Sequence, residues 1–234
     1  MTIVNPILAD ERLIVALDEP DMASARALID TLGDHVSFYK IGITLMAQGG
    51  LKLAHELNER GKFIFQDWKF HDIGAQVQGA VTAASSGPCH MLTVHAEPQV
   101  MKAAVAGRQN DKTKIIGVTV MTSLTQTDLE ELGYGMDLSD LVKRRALQAK
   151  DCGLDGVVAS PNEAAMIRAL VGPDFLIVTP GVRPMGSSLD DQQRIATPKT
   201  ALDKGATHLV IGRPITRASD PIAATKAILA EIKG

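Results

Sequence analysis

The chain has 234 residues, a formal charge of −3, 45% hydrophobic residues and only 3% aromatic ones. That balance gives no sequence-wide reason to expect a nucleic-acid or membrane partner, so any anion site must come from local cations. No apolar run approaches the roughly 18 residues of a membrane span, and residues 1–10 lack the basic and apolar stretches of an export signal, so a cytoplasmic setting is expected.

With so few aromatic residues the core must be aliphatic, which suits parallel strands covered on both faces. Strand candidates follow one another at 12–17, 36–41, 63–67, 91–95, 114–120, 156–159, 175–179 and 208–211. Amphipathic stretches alternate with them, among them 22–32, 51–60, 73–85, 138–152, 161–170 and 221–232. Gly33, Gly61, Gly153 and Gly172 stand where helices should close. Cys89 and Cys152 lie far apart with no CxxC pairing and read as buried free thiols in a reducing compartment.

Strict β–α alternation implies right-handed crossovers and a parallel sheet. Eight units without a long polar linker predict an α/β protein with one domain over 1–234, a closed (β/α)8 TIM barrel. The competing architecture is an open doubly wound sheet. Its dinucleotide fingerprint is missing from the first βα turn, which reads Leu17-Asp18-Glu19-Pro20.

In such a barrel the active site forms at the carboxyl ends of the strands. The residues there are Asp18, Lys40, Asp67 with Lys69, His95, Thr122 with Ser123, Pro180 to Arg183, and Gly212 with Arg213. Asp67 and Lys69 are two apart, so in extended backbone they project to one side, and from spacing alone a solvated ion pair at a strand end is the better reading of them. Lys40 lies within an apolar run and is costly to bury unless a carboxylate faces it; Asp67 on the adjacent strand is the candidate. Asp72 falls near the start of the next helix and could simply cap it, as Asp18 could cap the first. Glycines and Arg213 after the last two strands suit a phosphate, since barrels frequently bind phosphate there, although Gly and Pro also punctuate ordinary loops. No metal-ligand spacing is present, and His71 and His95 read as hydrogen-bonded packing residues.

Taken in order, Val15 to Asp18, Tyr39 to Gly42, Asp67 to Ile73, Thr93 to Ala96, Val118 to Leu124, Val178 to Pro184, Asp191-Gln192 and Ile211 to Pro214 resemble the orotidine 5'-phosphate decarboxylase family over about residues 12–232. The resemblance implies cofactor-free decarboxylation of orotidine 5'-monophosphate to UMP in pyrimidine biosynthesis. It implies a catalytic Lys40-Asp67-Lys69-Asp72 charge network in which Lys69 stabilises the carbanion and donates the proton. It also implies a homodimer, with Asp72 and Ile73 donated across the interface. Asp18 would bind the ribose, Thr122 and Ser123 the pyrimidine, and Gln192, Arg213, the Gly212 backbone and Arg183 the phosphate, beside Pro180. Closure of the loop over 182–191 would follow phosphate binding.

Two segments depart from the family pattern. Gly74-Ala75-Gln76 replaces the common Pro-Asn-Thr, and Trp68 replaces an aliphatic residue and should point toward the helices. The nearest rival is a metal-dependent sugar-phosphate lyase or decarboxylase of the same superfamily. A non-catalytic nucleotide sensor is disfavoured, because binding alone has no need of a lysine between carboxylates.

Overall fold

Leu13–Leu17 is buried at every position, the signature of a strand covered on both faces, and it opens the barrel as β1. The structure is a computed structural model and describes residues 7–184 and 196–234. After β1 come β2 (Phe38–Ile41), β3 (Phe63–Phe70), β4 (Met91–His95), β5 (Lys114–Val118), β6 (Gly156–Val158), β7 (Leu176–Pro180) and β8 (His208–Ile211). All pair in parallel, each with its sequence neighbour, and β8 returns to β1. The closed barrel is therefore the architecture, and the open sheet is excluded.

Period-2 alternation sorts the side chains into layers. Ile14, Ala16, Phe38, Phe65, Met91, Ile116, Val178 and Val210 fill the barrel interior. Leu13, Val15, Leu17, Tyr39, Ile41 and Ile64 face outward against helices such as Met22–Leu32 and Gly50–Glu59. Trp68 joins the other outer cluster with Val77 and Val81, as expected. Lys40, flanked by outward Tyr39 and Ile41, must consequently point inward.

Some boundaries shift for identifiable reasons. The third strand runs three residues past its expected end at 67, through an irregularity described below. The helix expected from 161 starts at Ala164, because Glu163 folds back to accept the Ser160 N–H at 2.8 Å and shapes a turn first. Helices Pro98–Gly107 and Gln126–Glu131 add to those predicted; the second is opened by Thr125, whose side chain caps Asp128 while Asp128 caps it in return. Gly33, Gly61, Gly153 and Gly172 all take positive φ, as their helix-closing places require. Both cysteines are free, but only Cys89 is buried; Cys152 ends helix Leu138–Asp151 and is partly exposed, contrary to expectation. Among the described residues no helix is long and apolar enough to cross a membrane.

His208 sits buried at the start of β8, its ring edge-on to Phe38. Burial first, and then the nearby Arg12 charge, push its pKa down to about 4. Between the ordinary histidine value near ~6.5 and this one, the unfolded chain takes up a proton that the folded chain does not. Stability should thus fall with pH across that window, by up to about 3 kcal/mol. Urea denaturation at a series of pH values should show a flatter acid slope for His208→Asn than for wild type; parallel slopes would refute the account.

Candidate active site

A cavity of about 430 Å³ opens at the carboxyl ends of the strands. Its floor is apolar, made by Phe65, Val118, Val158, Val178 and Val210, and its wall carries Asp18, Lys40, Asp67 and Lys69. Opposite these lie Pro180, Gly181, Arg183, Gly212, Arg213, Thr216 and Arg217, with Met121 and Thr122 on the rim.

The charged wall is a chain of contacts. Lys40 Nζ donates to Asp18 Oδ1 at 2.8 Å and stands 3.4 Å from Asp67 Oδ2, while Lys69 Nζ lies 2.9 Å from Asp67 Oδ1. The Asp67 carboxylate therefore bridges two ammonium groups and is only 13% exposed. Burial by itself pulls the Lys40 pKa down, yet Asp67 and Asp18 outweigh it and hold the group above the usual lysine value. Burial likewise pushes Asp67 up, and Lys40 and Lys69 bring it below the usual carboxylate value. A Cβ at Gly42 would come within 3.1 Å of Asp18 Oδ1 and 3.2 Å of Lys40 Nζ, so a bare glycine leaves that pair its room. Asp18, considered above as a helix cap, does not cap; Asp21 does, accepting the Ser24 N–H at 2.8 Å.

Asp67 and Lys69 do face the same cavity, but not through the regular extended backbone assumed from their spacing. Gln66 pairs with Leu92 and Phe70 with Val94, so four steps along β3 match two along β4. Within this bulge Lys69 adopts φ 51°, the one non-glycine positive φ among the described residues. A left-handed conformation costs an L-residue about 1–2 kcal/mol. Strain of this kind gathers at functional sites, held by the surrounding structure.

Several predicted residues lie elsewhere. Asp72 and Ile73 are exposed and do not line the cavity; Asp72 Oδ1 accepts the N–H of Ile73 at 2.6 Å just before helix Gly74–Ser85. Gln76, in the first turn of that helix, is also exposed. Thr122 lines the cavity, whereas its neighbour Ser123 is exposed outside the lining. Arg183 is buried, one of its nitrogens donating to the Val182 carbonyl. Gln192, and the loop over 182–191 beyond Pro184, lie outside the described residues. His71 and His95 stack with ring centroids 4.6 Å apart, and His71 Nε2 contacts Glu97 Oε2 at 3.1 Å. Burial chiefly, then the neighbouring His71, lower the pKa of His95. Thr216 and Arg217 were not anticipated. They follow Arg213 by three and four residues through the short helix Arg213–Thr216, and that helical spacing is the signal that brings all three to one face.

These features define a (β/α)8 barrel with an ammonium–carboxylate chain and a cluster of guanidinium groups at the carboxyl ends of its strands. The family model described as "Orotidine 5'-phosphate decarboxylase / HUMPS family" matches residues 11–228, and the chain belongs to that family. It is 55% identical to the orotidine 5'-phosphate decarboxylase of Caulobacter vibrioides (strain NA1000 / CB15N), over 97% of this chain and 99% of that protein. It is 52% identical to that of Rhodopseudomonas palustris (strain BisA53), over 99% and 98%. A crystal structure of orotidine 5'-phosphate decarboxylase from Lactobacillus acidophilus superimposes with a TM-score of 0.83 at 36% identity, covering 95% of this chain and 99% of that one.

Removing a buried ion's partner is far more damaging than removing both charges. Asp67→Ala should therefore destabilise the fold by about 3 kcal/mol or more in chemical denaturation. Adding Lys40→Met should return a substantial part of that loss. Equal stability of Asp67→Ala and wild type would show that the bridge carries little energy.

Proposed function

We infer that the chain decarboxylates orotidine 5'-monophosphate to UMP, the activity named for its relatives at 52–55% identity. One observation carries the chemical reading: the Lys69 ammonium, held 2.9 Å from Asp67 at the mouth of the barrel. Loss of CO₂ from C6 of the pyrimidine leaves a carbanion with little delocalisation. Lys69 stabilises that charge and then supplies the proton. Asp67 faces the departing carboxylate. Two like charges about 4 Å apart at an effective dielectric of about 20 repel by roughly 4 kcal/mol, whereas enzymes lower barriers by about 8–23 kcal/mol. Stabilisation of the transition state by Lys69 must then carry more than repulsion.

The other contacts distribute along the substrate. Asp18, more than half exposed beside Lys40, receives the ribose hydroxyls. Thr122 and Ser123 meet the base, and Pro180 closes one side. Arg213, the Gly212 backbone and Arg183 hold the phosphate, with Gln192 completing the set; binding energy at this remote group serves the chemical step. The reaction proceeds without a cofactor. A spectrophotometric assay with orotidine 5'-monophosphate in EDTA tests both statements, and loss of the orotate absorbance at an undiminished rate is expected. Turnover that needs added Mg²⁺ would favour the sugar-phosphate branch of the family instead.

The active form is a homodimer of single-domain chains in which Asp72 and Ile73 enter the partner's site. Ile73 is 65% exposed, Asp72 is exposed beside it, and neither reaches the cavity of its own chain. Lys69→Ala and Asp72→Ala chains should each be inactive as homodimers, with Lys69→Ala still binding the nucleotide. Co-refolded together, they should regain activity, because one site of each mixed dimer then combines an intact Lys69 with an intact Asp72. No recovery on mixing would place Asp72 in its own chain's site or outside the chemistry.

A further inference from the structure

Thr93 lies at the middle of β4, fully buried, and by alternation with the outward Leu92 and Val94 it points into the barrel. It stands opposite the irregular stretch of β3, since the ladder pairs Leu92 with Gln66 and Val94 with Phe70 and passes Thr93 over. At that level a side chain takes the place of the missing backbone bond. Thr93 Oγ1 accepts the backbone N–H of Lys69 at 3.0 Å and donates to Asp67 Oδ1 at 3.0 Å. The sense of both bonds is fixed by chemistry, because an amide N–H only donates and an ionised carboxylate only accepts.

The contacts close a ring. Lys69 is tied to Thr93 through its backbone and to Asp67 through its ammonium, and Thr93 and Asp67 are tied to each other. Asp67 Oδ1 thus receives Thr93 and Lys69 while Oδ2 faces Lys40. A lysine in the left-handed region needs its backbone held there, and the hydroxyl of Thr93 holds its N–H.

We propose that Thr93 is a positioning residue for the decarboxylation: its hydroxyl fixes the left-handed backbone of Lys69 and the rotation of the Asp67 carboxylate, and so aims the ammonium at the reacting carbon. This rests on the reading of Lys69 as the group that meets the carbanion. The demand on residue 93 is narrow. One atom must accept from an amide and donate to a carboxylate inside a packed barrel, which Ser satisfies and Val, of almost the same shape as Thr, does not.

The test compares wild type, Thr93→Val and Thr93→Ser. In Thr93→Val, kcat for orotidine 5'-monophosphate should fall by about 10- to 100-fold with KM changed less than about threefold, because aim rather than binding is lost. The acid limb of its kcat–pH profile should move to higher pH, since Asp67 has lost a donor. Thr93→Ser should recover most of kcat and the original profile. A crystal structure of Thr93→Val should show Lys69 out of the left-handed region or its ammonium displaced from Asp67. Wild-type kcat in Thr93→Val, an equal fall in both variants, or an unchanged Lys69 in the structure would each overturn the proposal. Should wild type fail to turn over this substrate, the functional reading fails while the crystal structure still decides whether Thr93 sets the Lys69 conformation.

Discussion

The site depends on one carboxylate shared between two ammonium groups. Asp67 faces Lys40 at 3.4 Å and Lys69 at 2.9 Å, and a carboxylate so buried in an aliphatic barrel is costly to keep charged without cations beside it. Strand adjacency makes the arrangement possible. β2 pairs with β3, and inward-facing positions alternate along each, so Lys40 and Asp67 meet across neighbouring strands. Asp18, on β1's far end, completes the row by taking the outer side of Lys40. Three consecutive strands thereby supply a line of alternating charge across the barrel mouth, in which Lys40 and Asp67 are largely shielded from water and Asp18 is exposed.

The last member of the row required a departure from regular structure. Between Gln66 and Phe70, β3 bulges against β4, and Lys69 turns left-handed within the bulge. Bulges next to active sites commonly re-aim a side chain, and here the re-aimed group is the ammonium itself. Local strain at one residue is balanced by the ion pair and by hydrogen bonds on either side of it.

The sequence shows most of the framework and less of the site. Aliphatic runs separated by amphipathic stretches are enough to specify eight parallel strands, because burial on both faces leaves an unbroken apolar signal. The charges at the strand ends stand out against that background, and Lys40 announces its need for a carboxylate by sitting among Tyr39 and Ile41. What the sequence hides is what bulges and helices rearrange. Spacing put Asp67 and Lys69 on one side, which is right, by a regular geometry that β3 does not have. Thr216 and Arg217 reach the cavity only because a short helix follows β8. Asp72 sits beside the charged segment in sequence yet outside the cavity in space, exposed just before helix Gly74–Ser85.

The cavity lining has a consequence for how a substrate arrives. Among the described residues, five cationic side chains, Lys40, Lys69, Arg183, Arg213 and Arg217, stand there against two acidic ones, Asp18 and Asp67, although the chain as a whole carries −3. The molecule is accordingly polarised, with a positive funnel set in a mildly negative exterior. Low-dielectric walls concentrate such a field toward the opening. A field of this sign draws small anions toward the mouth and leaves neutral molecules unaffected. Mobile ions shorten the reach of that attraction to about 8 Å at physiological strength, so the rate of capture, more than the chemistry after it, is the step that rising ionic strength slows.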